Sequence, residues 1–385
     1  MPLYTLIATS AFGLESVVAT ELRDLGYNNL KTEDGKVTFS GDNIDIVRCN
    51  LWLRCADRLL IKMAEFRAMD FEELFQGAFA VRWEKLIPEN GVMHVTGKSV
   101  RSQLHSVPDC QAIVKKAVIE AMKRKYNKDI FKEDGPVFRI EVAMLKDVAT
   151  LSIDTSGNGL HKRGYGQTRG EAPLRETLAA ALVKLSKWDA SRTFVDPMCG
   201  SGTIVIEAAL IGNNIAPGLR RTFASENWPA IPKKIWDTMR AEAEEKITDI
   251  PLSIFASDMD STVFKQAVEN AEKAGVQSSI TFQKKPIEEF SSKKKYGCII
   301  CNPPYGERLG DKDSAEELYR TMGNIFLKLD TWSFFILTSH PEFQRHFGKE
   351  STKNRKLYNG KIKCYFYQYF GPLPNKHTKE INNPA

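Results

Sequence analysis

The sequence predicts an α/β fold, with an open and mostly parallel sheet in its carboxyl-terminal half and an α+β arrangement before it. After about residue 165, fully apolar strand-like segments alternate with helical ones, which is typical of a parallel sheet covered by helices. Before that point, two successive blocks show a small α+β pattern, and the second closes on an alternating hairpin. The 385 residues suffice for two or three domains at roughly 150 residues each.

Short strands and amphipathic helices make up the amino-terminal half. Strands are predicted over residues 4–10, 37–39, 59–64, 92–96, 137–142 and 148–153, and helices over 13–22, 42–53, 71–79 and 109–125. The run Ser156-Gly-Asn-Gly159 then interrupts the pattern. We therefore predict a first subdomain at 1–58, a second domain at 59–155, a linking segment at 156–172 and the sheet domain at 173–385.

The sheet domain is predicted to contain five strands and three connecting helices. The strands lie at 193–196, 253–258, 279–282, 297–301 and 333–338, and the helices at 203–211, 261–274 and 314–328. Residues 212–251 lengthen the connection between the first two strands and contain the Pro- and Trp-bearing run 227–232, so we interpret them as an insertion. The polar tail, 375–385, is expected to be loose.

Composition and cysteine usage indicate a cytoplasmic protein. No run approaches the roughly 18 apolar residues that span a bilayer, and the first residues lack the basic region of a secretory signal. The seven cysteines are odd in number and scattered, which is a poor disulfide framework. Cys298 and Cys301 form a C-x-x-C inside an apolar run, with no second pair beside them. Because zinc needs about four ligands, we predict no metal site.

Positive charge is concentrated between Lys98 and Lys132. Nine Lys/Arg (98, 101, 115, 116, 123, 124, 125, 128, 132) stand there against three acids (109, 120, 129), an excess of six that equals the net charge of the whole chain, +6. Such clustering suits a phosphate backbone, although a solvated helix face would give the same pattern. The candidates for phosphate contacts are Lys98, Arg101, Lys115, Lys116, Lys123, Arg124 and Lys125.

A glycine-rich loop follows the first strand of the sheet domain. It reads Asp196-Pro-Met198-Cys199-Gly200-Ser201-Gly202-Thr203 and leads directly into a helix. The glycines permit a tight turn and close approach of a ligand, while the acid and the bare N–H groups of the helix start can hold an ammonium and a carboxylate. Those two groups form the methionine end of S-adenosylmethionine. A phosphate-binding Walker A loop would need G-K-[ST], which is missing here.

A second carboxylate follows the next strand. Asp258 can accept both hydroxyls of a ribose, with Met259 beside it, and Asp260 is the second choice or a helix cap. The spacing of 62 residues (258 − 196) exceeds the roughly 20 of a plain dinucleotide unit. The insertion at 212–251 accounts for the difference.

The decisive motif is Asn302-Pro303-Pro304-Tyr305, again at the end of a strand. An exocyclic base amine is a poor nucleophile because its lone pair is delocalised into the ring. The Asn302 side-chain oxygen and the Pro303 carbonyl can accept its two hydrogens and aim the lone pair at a methyl donor. Tyr305 can stack on a base that has swung out of its helix.

These motifs resemble those of a known family. The glycine-rich loop with Asn302–Tyr305 resembles the class I amino-methyltransferases with a [DN]-P-P-[YF] signature, over residues 160–370. Residues 60–155 resemble a THUMP domain, an RNA-binding module, most clearly at 96–108. With 160–165 and 172–177 as the link, the chain resembles bacterial 23S ribosomal RNA guanine-N2 methyltransferases, many of them labelled N6-adenine-specific DNA methylases.

The resemblance implies a fold and a set of roles. It implies a ferredoxin-like subdomain at 1–58, a THUMP domain at 59–155 and a Rossmann-like methyltransferase domain at 173–385. Asp196–Thr203 would hold the methionine part of S-adenosylmethionine, Asp258 the ribose and Asn302–Tyr305 the target base, while 156–172 would close over the cofactor. Related sequences often place an acid after the third strand to contact the adenine. Here that stretch is 284–289, so backbone groups near Pro286 and Ile287 are expected to replace it.

Other functions remain open at this point. An N6-adenine methyltransferase acting on DNA or RNA poses the same chemical problem as a guanine-N2 enzyme. The RNA-type amino-terminal half argues against a DNA substrate, and so does the lack of an obvious DNA-recognition insertion after Tyr305. A 5-methylcytosine mechanism needs a cysteine nucleophile, and neither Cys199 nor Cys301 follows a proline. A non-catalytic RNA-binding protein is the third alternative.

Overall fold

A computed structural model describes residues 2–166, 174–305 and 311–374. By contacts the chain divides into two compact units, one of residues 1–10, 19–160 and 221–242, the other of residues 11–18, 161–220 and 243–385. Among the described residues each unit is built on one seven-stranded sheet. The expected loose tail at 375–385 and part of the predicted linking segment, 167–172, lie outside the described residues.

Eleven α-helices and β-strands precede residue 160 in the described chain. They are β1 (Tyr4–Thr9), α1 (Glu15–Asp24), β2 (Lys31–Glu33), β3 (Lys36–Gly41), α2 (Asn43–Trp52), β4 (Arg58–Arg67), α3 (Phe71–Phe79), β5 (Val92–Val100), α4 (Val107–Tyr126), β6 (Val137–Leu145) and β7 (Val148–Asp154). The strands form one sheet in the order β2-β3-β1-β4-β7-β6-β5. Only β5 and β6 pair in parallel within this described sheet, and the remaining pairs are antiparallel.

Local chemistry explains where these elements begin and which face they bury. Asp42 starts α2 through a capping box: its carboxylate accepts Ile44 N–H at 2.8 Å, and Asp45 accepts Asp42 N–H at 2.9 Å. On β6 the buried side chains alternate with more exposed ones, as period-two side-chain geometry requires for a sheet with one covered face. Burial at helical spacing along α4 supplies the covering layer.

The insertion contributes to the first unit. Residues 221–242 group with that unit, and their Trp228 stacks on Phe138 with ring centroids 4.7 Å apart. Trp228 Nε1 donates to the Val137 carbonyl at 3.1 Å, and Asn43 Nδ2 donates to the Ala230 carbonyl at 2.7 Å. The Pro- and Trp-bearing run is therefore a packed part of the amino-terminal unit's core.

The elements after residue 160 belong mainly to the second unit. They are α5 (Glu176–Ser186), β8 (Phe194–Asp196), α6 (Thr203–Gly212), α7 (Lys233–Glu245), β9 (Ile254–Asp258), α8 (Ser261–Ala274), β10 (Ile280–Lys284), β11 (Cys298–Cys301), α9 (Asp311–Phe326), β12 (Ser333–Thr338), α10 (Phe343–Phe347), β13 (Lys353–Asn359) and β14 (Ile362–Tyr369). Their strands are ordered β10-β9-β8-β11-β12-β14-β13. Strands β8 to β12 are parallel, and β14 runs antiparallel to both neighbours.

This topology confirms the predicted open, mostly parallel sheet. Strand order reverses between β8 and β11, and the crevice beyond the carboxyl ends of strands at such a switch point is where ligands bind in open α/β sheets. The aromatic core beneath β11 and β12 includes Tyr319, Met322 and Phe326 from α9. This core fixes the strand ends from which the site loops leave.

Two further findings concern membranes and cysteines. Within the described chain, none of the helices combines the length and apolarity that crossing a bilayer requires. All seven cysteines are buried free thiols, and Cys298 and Cys301 lie inside β11.

Candidate active site

The loop after β8 is shaped by two glycines in left-handed backbone. Gly200 has φ +52° and Gly202 has φ +84°. A Cβ on Gly202 would lie 3.1 Å from the Cβ of Ala267, so a side chain there would crowd α8. At Gly200 a Cβ would meet only open space, which leaves the main chain accessible to a ligand. Gly202 also starts α6, whose first N–H groups have no acceptor within the helix.

Asp196 lies at the tip of β8 with its side chain inaccessible to water. The residue is 1% exposed, and its carboxylate accepts Met198 N–H at 3.2 Å. Burial, with a smaller contribution from the charge of Asp258, raises the pKa of Asp196 to about 8. Such a carboxyl group would be stabilised in its charged form by an adjacent ammonium group.

Asp258 connects the first two loops of the site. Its Oδ2 accepts Gly200 N–H at 3.0 Å and its Oδ1 accepts Asp260 N–H at 2.9 Å. Asp260 accepts the N–H groups of Thr262 and Val263 and is the N-cap of α8, which is the role that the sequence offered as its alternative. Met259 is 72% exposed at the same strand end.

The third loop leaves β11, the strand beside β8. Asn302 and Tyr305 are half-buried, Pro303 is buried and Pro304 is exposed. The Tyr305 hydroxyl donates to Asn302 Oδ1. The charge of Asp196 adds to the effect of burial in raising the pKa of Cys301, the last residue of β11, so the first and third loops lie close together. Residues 306–310 are not among those described.

The loop after β10 contains Pro286 and Ile287, whose backbone groups the sequence offered for the adenine. Ile287 opens a single 3-10 turn and is 5% exposed, because its side chain belongs to the apolar core with Val195 and Ile299. At Ile287 only the main chain is therefore available to a ligand, whereas Glu288 and Glu289 are exposed.

A buried charge cluster next to the glycine-rich loop was missed by the sequence analysis. Glu207 on α6 is 0% exposed and accepts Arg163 Nε at 3.3 Å and the Tyr165 hydroxyl at 2.9 Å. Burial, together with the charge of Glu207, raises the pKa of Glu176, at the start of α5, to about 7. The sequence did contain a signal for this cluster, since Glu207 lies inside the apolar run of α6. A carboxylate in a buried segment is rare unless it has a partner, so a partner could have been expected.

Comparison with known proteins decides the family. The family model described as "RMKL-like, methyltransferase domain" matches residues 163–368, more than half of the chain. Models of the RlmL ferredoxin-like domain and of the THUMP domain match residues 5–60 and 68–154. The chain belongs to the RMKL-like methyltransferase family.

Two curated relatives of this RMKL-like methyltransferase extend the match to nearly the whole chain. It is 51% identical over 385 residues to "Putative RNA methyltransferase YpsC" of Bacillus subtilis, covering 99% of this chain and 100% of that protein. It is 35% identical over 375 residues to "Ribosomal RNA large subunit methyltransferase K/L" of Syntrophotalea carbinolica. That match covers 93% of this chain and 52% of the relative, so the chain spans about half of that protein's length.

Solved structures of similar proteins share the fold. One, from Listeria monocytogenes, is described as "a predicted N6-adenine-specific DNA methylase" and matches with a TM-score of 0.92 and 48% identity, covering 97% of each chain. Another is described as "a putative methyltransferase complexed with SAH" and matches with a TM-score of 0.92 and 44% identity, covering 97% of this chain and 100% of that one. The comparisons thus confirm the ferredoxin-like, THUMP and methyltransferase architecture.

The seven basic candidates of the RMKL-like methyltransferase lie in the first unit and fall into two groups. Lys98, Lys115 and Lys123 form ion pairs, whereas Arg101, Lys116, Arg124 and Lys125 lie over aromatic rings or are exposed. Three of the seven candidates have carboxylate partners: Lys98 pairs with Glu141 at 2.9 Å, Lys115 with Glu133 at 2.6 Å and Lys123 with Glu120 at 3.0 Å. Lys116 and Arg124 lie over the rings of Phe75 and Phe79, at 5.7 and 4.6 Å from the centroids. Arg101 and Lys125 are exposed.

A histidine-carboxylate cluster lies behind the third loop of this methyltransferase. Among the residues that the structure describes, Glu316, Glu342 and His346 bring candidate metal-ligand atoms within 4.8 Å of one another. Arg320 can only donate, so His346 Nδ1 at 3.2 Å accepts, and His340 Nδ1 accepts Glu342 N–H at 3.3 Å. In the neutral form of each ring the proton is then on Nε2. Glu316 Oε1 lies 3.5 Å from His346 Nε2 and 3.8 Å from His340 Nε2. A ring nitrogen that carries a proton cannot bind a metal, so this arrangement does not favour a metal site.

Proposed function

We propose that this chain is a cytoplasmic RNA methyltransferase that transfers a methyl group to an exocyclic base amine, N2 of a guanine in 23S ribosomal RNA. The observation that carries the proposal is the adjacency of two loops. Asp196 and Asn302 end neighbouring parallel strands, β8 and β11, at the point where strand order reverses. A methyl donor held at the first loop and a base held at the second would therefore face each other.

The methyl donor is S-adenosylmethionine, and the residues present fit it. Asp196 is a buried carboxylate whose pKa is raised to about 8, and an ammonium group would stabilise its charged form. The open space at Gly200 and the N–H groups that begin α6 suit a carboxylate. Asp258 has a second lone pair on each oxygen for the ribose hydroxyls, while Met259 and the backbone near Ile287 would border the adenine.

The third loop would activate the amine. Asn302 Oδ1 and the Pro303 carbonyl accept the two amine hydrogens, so the nitrogen becomes pyramidal and its lone pair turns toward the sulfonium methyl group. The nitrogen forms a bond to the methyl carbon, the carbon–sulfur bond breaks to leave a thioether, and the nitrogen releases one proton to solvent water. Tyr305 would support the base by stacking. Residues 59–155 would bring the RNA to this site through Arg101, Lys116, Arg124 and Lys125.

One experiment tests substrate and chemistry together. Purified protein and its Asn302→Ala variant are incubated with labelled S-adenosylmethionine and either unmodified 23S rRNA or duplex DNA, and the nucleosides are separated by mass. We expect N2-methylguanosine in RNA from the wild type and none from the variant. N6-methyladenine in DNA would support instead the activity that the Listeria relative's description states. Product that persists in the variant would remove Asn302 from the mechanism.

A further inference from the structure

The backbone of the Asn302–Tyr305 loop needs support from outside the loop. Pro303 and Pro304 have fixed φ angles and donate no backbone hydrogen bond. The rotation that remains at Pro304 sets the peptide plane between Pro304 and Tyr305, and that plane determines where the Tyr305 ring points. An external donor to the Pro304 carbonyl can fix this plane.

Tyr319 supplies that donor from α9. Its hydroxyl lies 2.7 Å from the Pro304 carbonyl oxygen. A carbonyl only accepts, so the hydroxyl proton must belong to Tyr319 and point at Pro304. Tyr319 is 0% exposed, so water does not reach its hydroxyl. Burial raises the pKa of Tyr319 to about 12, which keeps the hydroxyl protonated at any working pH.

A second hydroxyl holds Tyr319 in this direction. Thr338, the last residue of β12, places its Oγ1 3.2 Å from the Tyr319 hydroxyl. Thr338 Oγ1 also accepts the backbone N–H of His340 at 3.1 Å. Each hydroxyl can donate one hydrogen bond, and the Tyr319 hydroxyl already donates to the Pro304 carbonyl. The Thr338 hydroxyl is therefore the donor to Tyr319. The chain of bonds therefore runs in one direction, from His340 N–H through Thr338 and Tyr319 to Pro304.

We propose that Tyr319 is a positioning residue for methyl transfer, oriented by Thr338, that fixes the Pro304–Tyr305 peptide and so the Tyr305 side chain. The inference rests on the proposed function of the Asn302–Tyr305 loop. It differs from a purely structural role, because a buried tyrosine that only fills volume would affect stability and leave turnover unchanged.

The test compares variants matched for size and burial. Tyr319→Phe removes only the hydroxyl, and Tyr369→Phe is the control, because the Tyr369 hydroxyl donates to the Lys349 carbonyl at 3.1 Å from the same core. We expect Tyr319→Phe to lower kcat about 3- to 10-fold, the range for one lost hydrogen bond, with unchanged KM for RNA and unchanged affinity for S-adenosylmethionine. Thr338→Val should lower kcat in the same sense, and Thr338→Ser should restore it.

A readout that needs no RNA separates this inference from the proposed function. Amide hydrogen exchange of the peptide that contains Asn302 and Tyr305 should accelerate in Tyr319→Phe and stay at the wild-type rate in Tyr369→Phe. Wild-type kcat and wild-type exchange in Tyr319→Phe would overturn the positioning role, whatever the substrate. If the wild type methylates no RNA but amide exchange still differs between it and Tyr319→Phe, the proposed substrate is overturned and the hydrogen-bond chain stands.

Discussion

The Tyr305 hydroxyl donates to Asn302 Oδ1, the oxygen to which we assign an amine hydrogen of the target base. The Cys364 thiol lies 3.6 Å from the same hydroxyl and steadies it from β14. In the protein without RNA, Asn302 is thus already hydrogen-bonded within its own loop. A base that enters the site has to share this acceptor with the Tyr305 hydroxyl or displace that hydroxyl from it.

Two substitutions at Tyr305 separate these effects. Tyr305→Phe keeps the ring and removes the competitor for Asn302, so we expect RNA affinity at or above the wild-type level. Tyr305→Ala removes the stacking surface and should weaken RNA binding by about 1–3 kcal/mol. Filter binding at fixed salt measures both. Equal losses in the two variants would show that the hydroxyl, and not the ring, holds the base.

Asp196 predicts a proton released on cofactor binding. In the free protein its pKa is about 8, so at pH 7 the carboxyl group is mostly protonated. An ammonium group beside it stabilises the carboxylate and lowers the pKa, so binding at pH 7 should release about one proton per site. Affinity for S-adenosylmethionine should then rise between pH 6.5 and 8. Calorimetry in two buffers of different ionisation heat counts the protons.

The Asp196→Asn variant is the control for that experiment. It should bind S-adenosylmethionine more weakly by about 1.5–3 kcal/mol, because a hydrogen bond to a charged group is lost, and it should release no proton. Proton release that persists in Asp196→Asn would assign the titrating group elsewhere.

Much of the second unit could be predicted because its signals are local. The fully apolar run of β12 and the caps of α8, Asp260 and Gly275, fix those boundaries within the segment itself. The hairpin of β13 and β14 was missed because β13 carries many charged side chains, as an edge strand can. The two-residue loop Gly360-Lys361 between the strands, with glycine first, was the available signal.

Contacts between segments that are far apart in the chain could not be predicted from the sequence. Arg163 and Glu207 are 44 positions apart, and nothing local states that they meet. The same limit hid the partners of Lys98, Lys115 and Lys123, because a charge count does not show which cations already have carboxylate partners. Charge clustering therefore predicts a basic segment better than it predicts the side chains that remain available to a phosphate.

Glu176 predicts a pH-dependent stability. Its pKa is raised from 4.5 to about 7, so the native state holds the proton more tightly than the unfolded chain does. The contribution of Glu176 to stability is then fully present at low pH and is lost as pH rises from about 4.5 to 7. Glu176→Gln should raise the free energy of unfolding at pH 8 by about 1–2 kcal/mol, after a discount for solvent screening. Urea unfolding should show a smaller gain at pH 5, and the exposed Glu272→Gln should change neither value.

The two groups of basic residues predict different salt dependences of RNA binding. Each phosphate contact to a single strand contributes about 0.7 to the slope of log affinity against log salt. Charge reversal of Lys116, Arg124 and Lys125 should therefore flatten the slope by about 2 and weaken binding most at low salt. Lys115→Ala should leave the slope nearly unchanged, because Lys115 is paired with Glu133 and also donates to the Met93 carbonyl. If Lys115→Ala flattens the slope as much as the triple reversal, Lys115 leaves Glu133 to contact the RNA. The division of the basic residues into two groups would then be wrong.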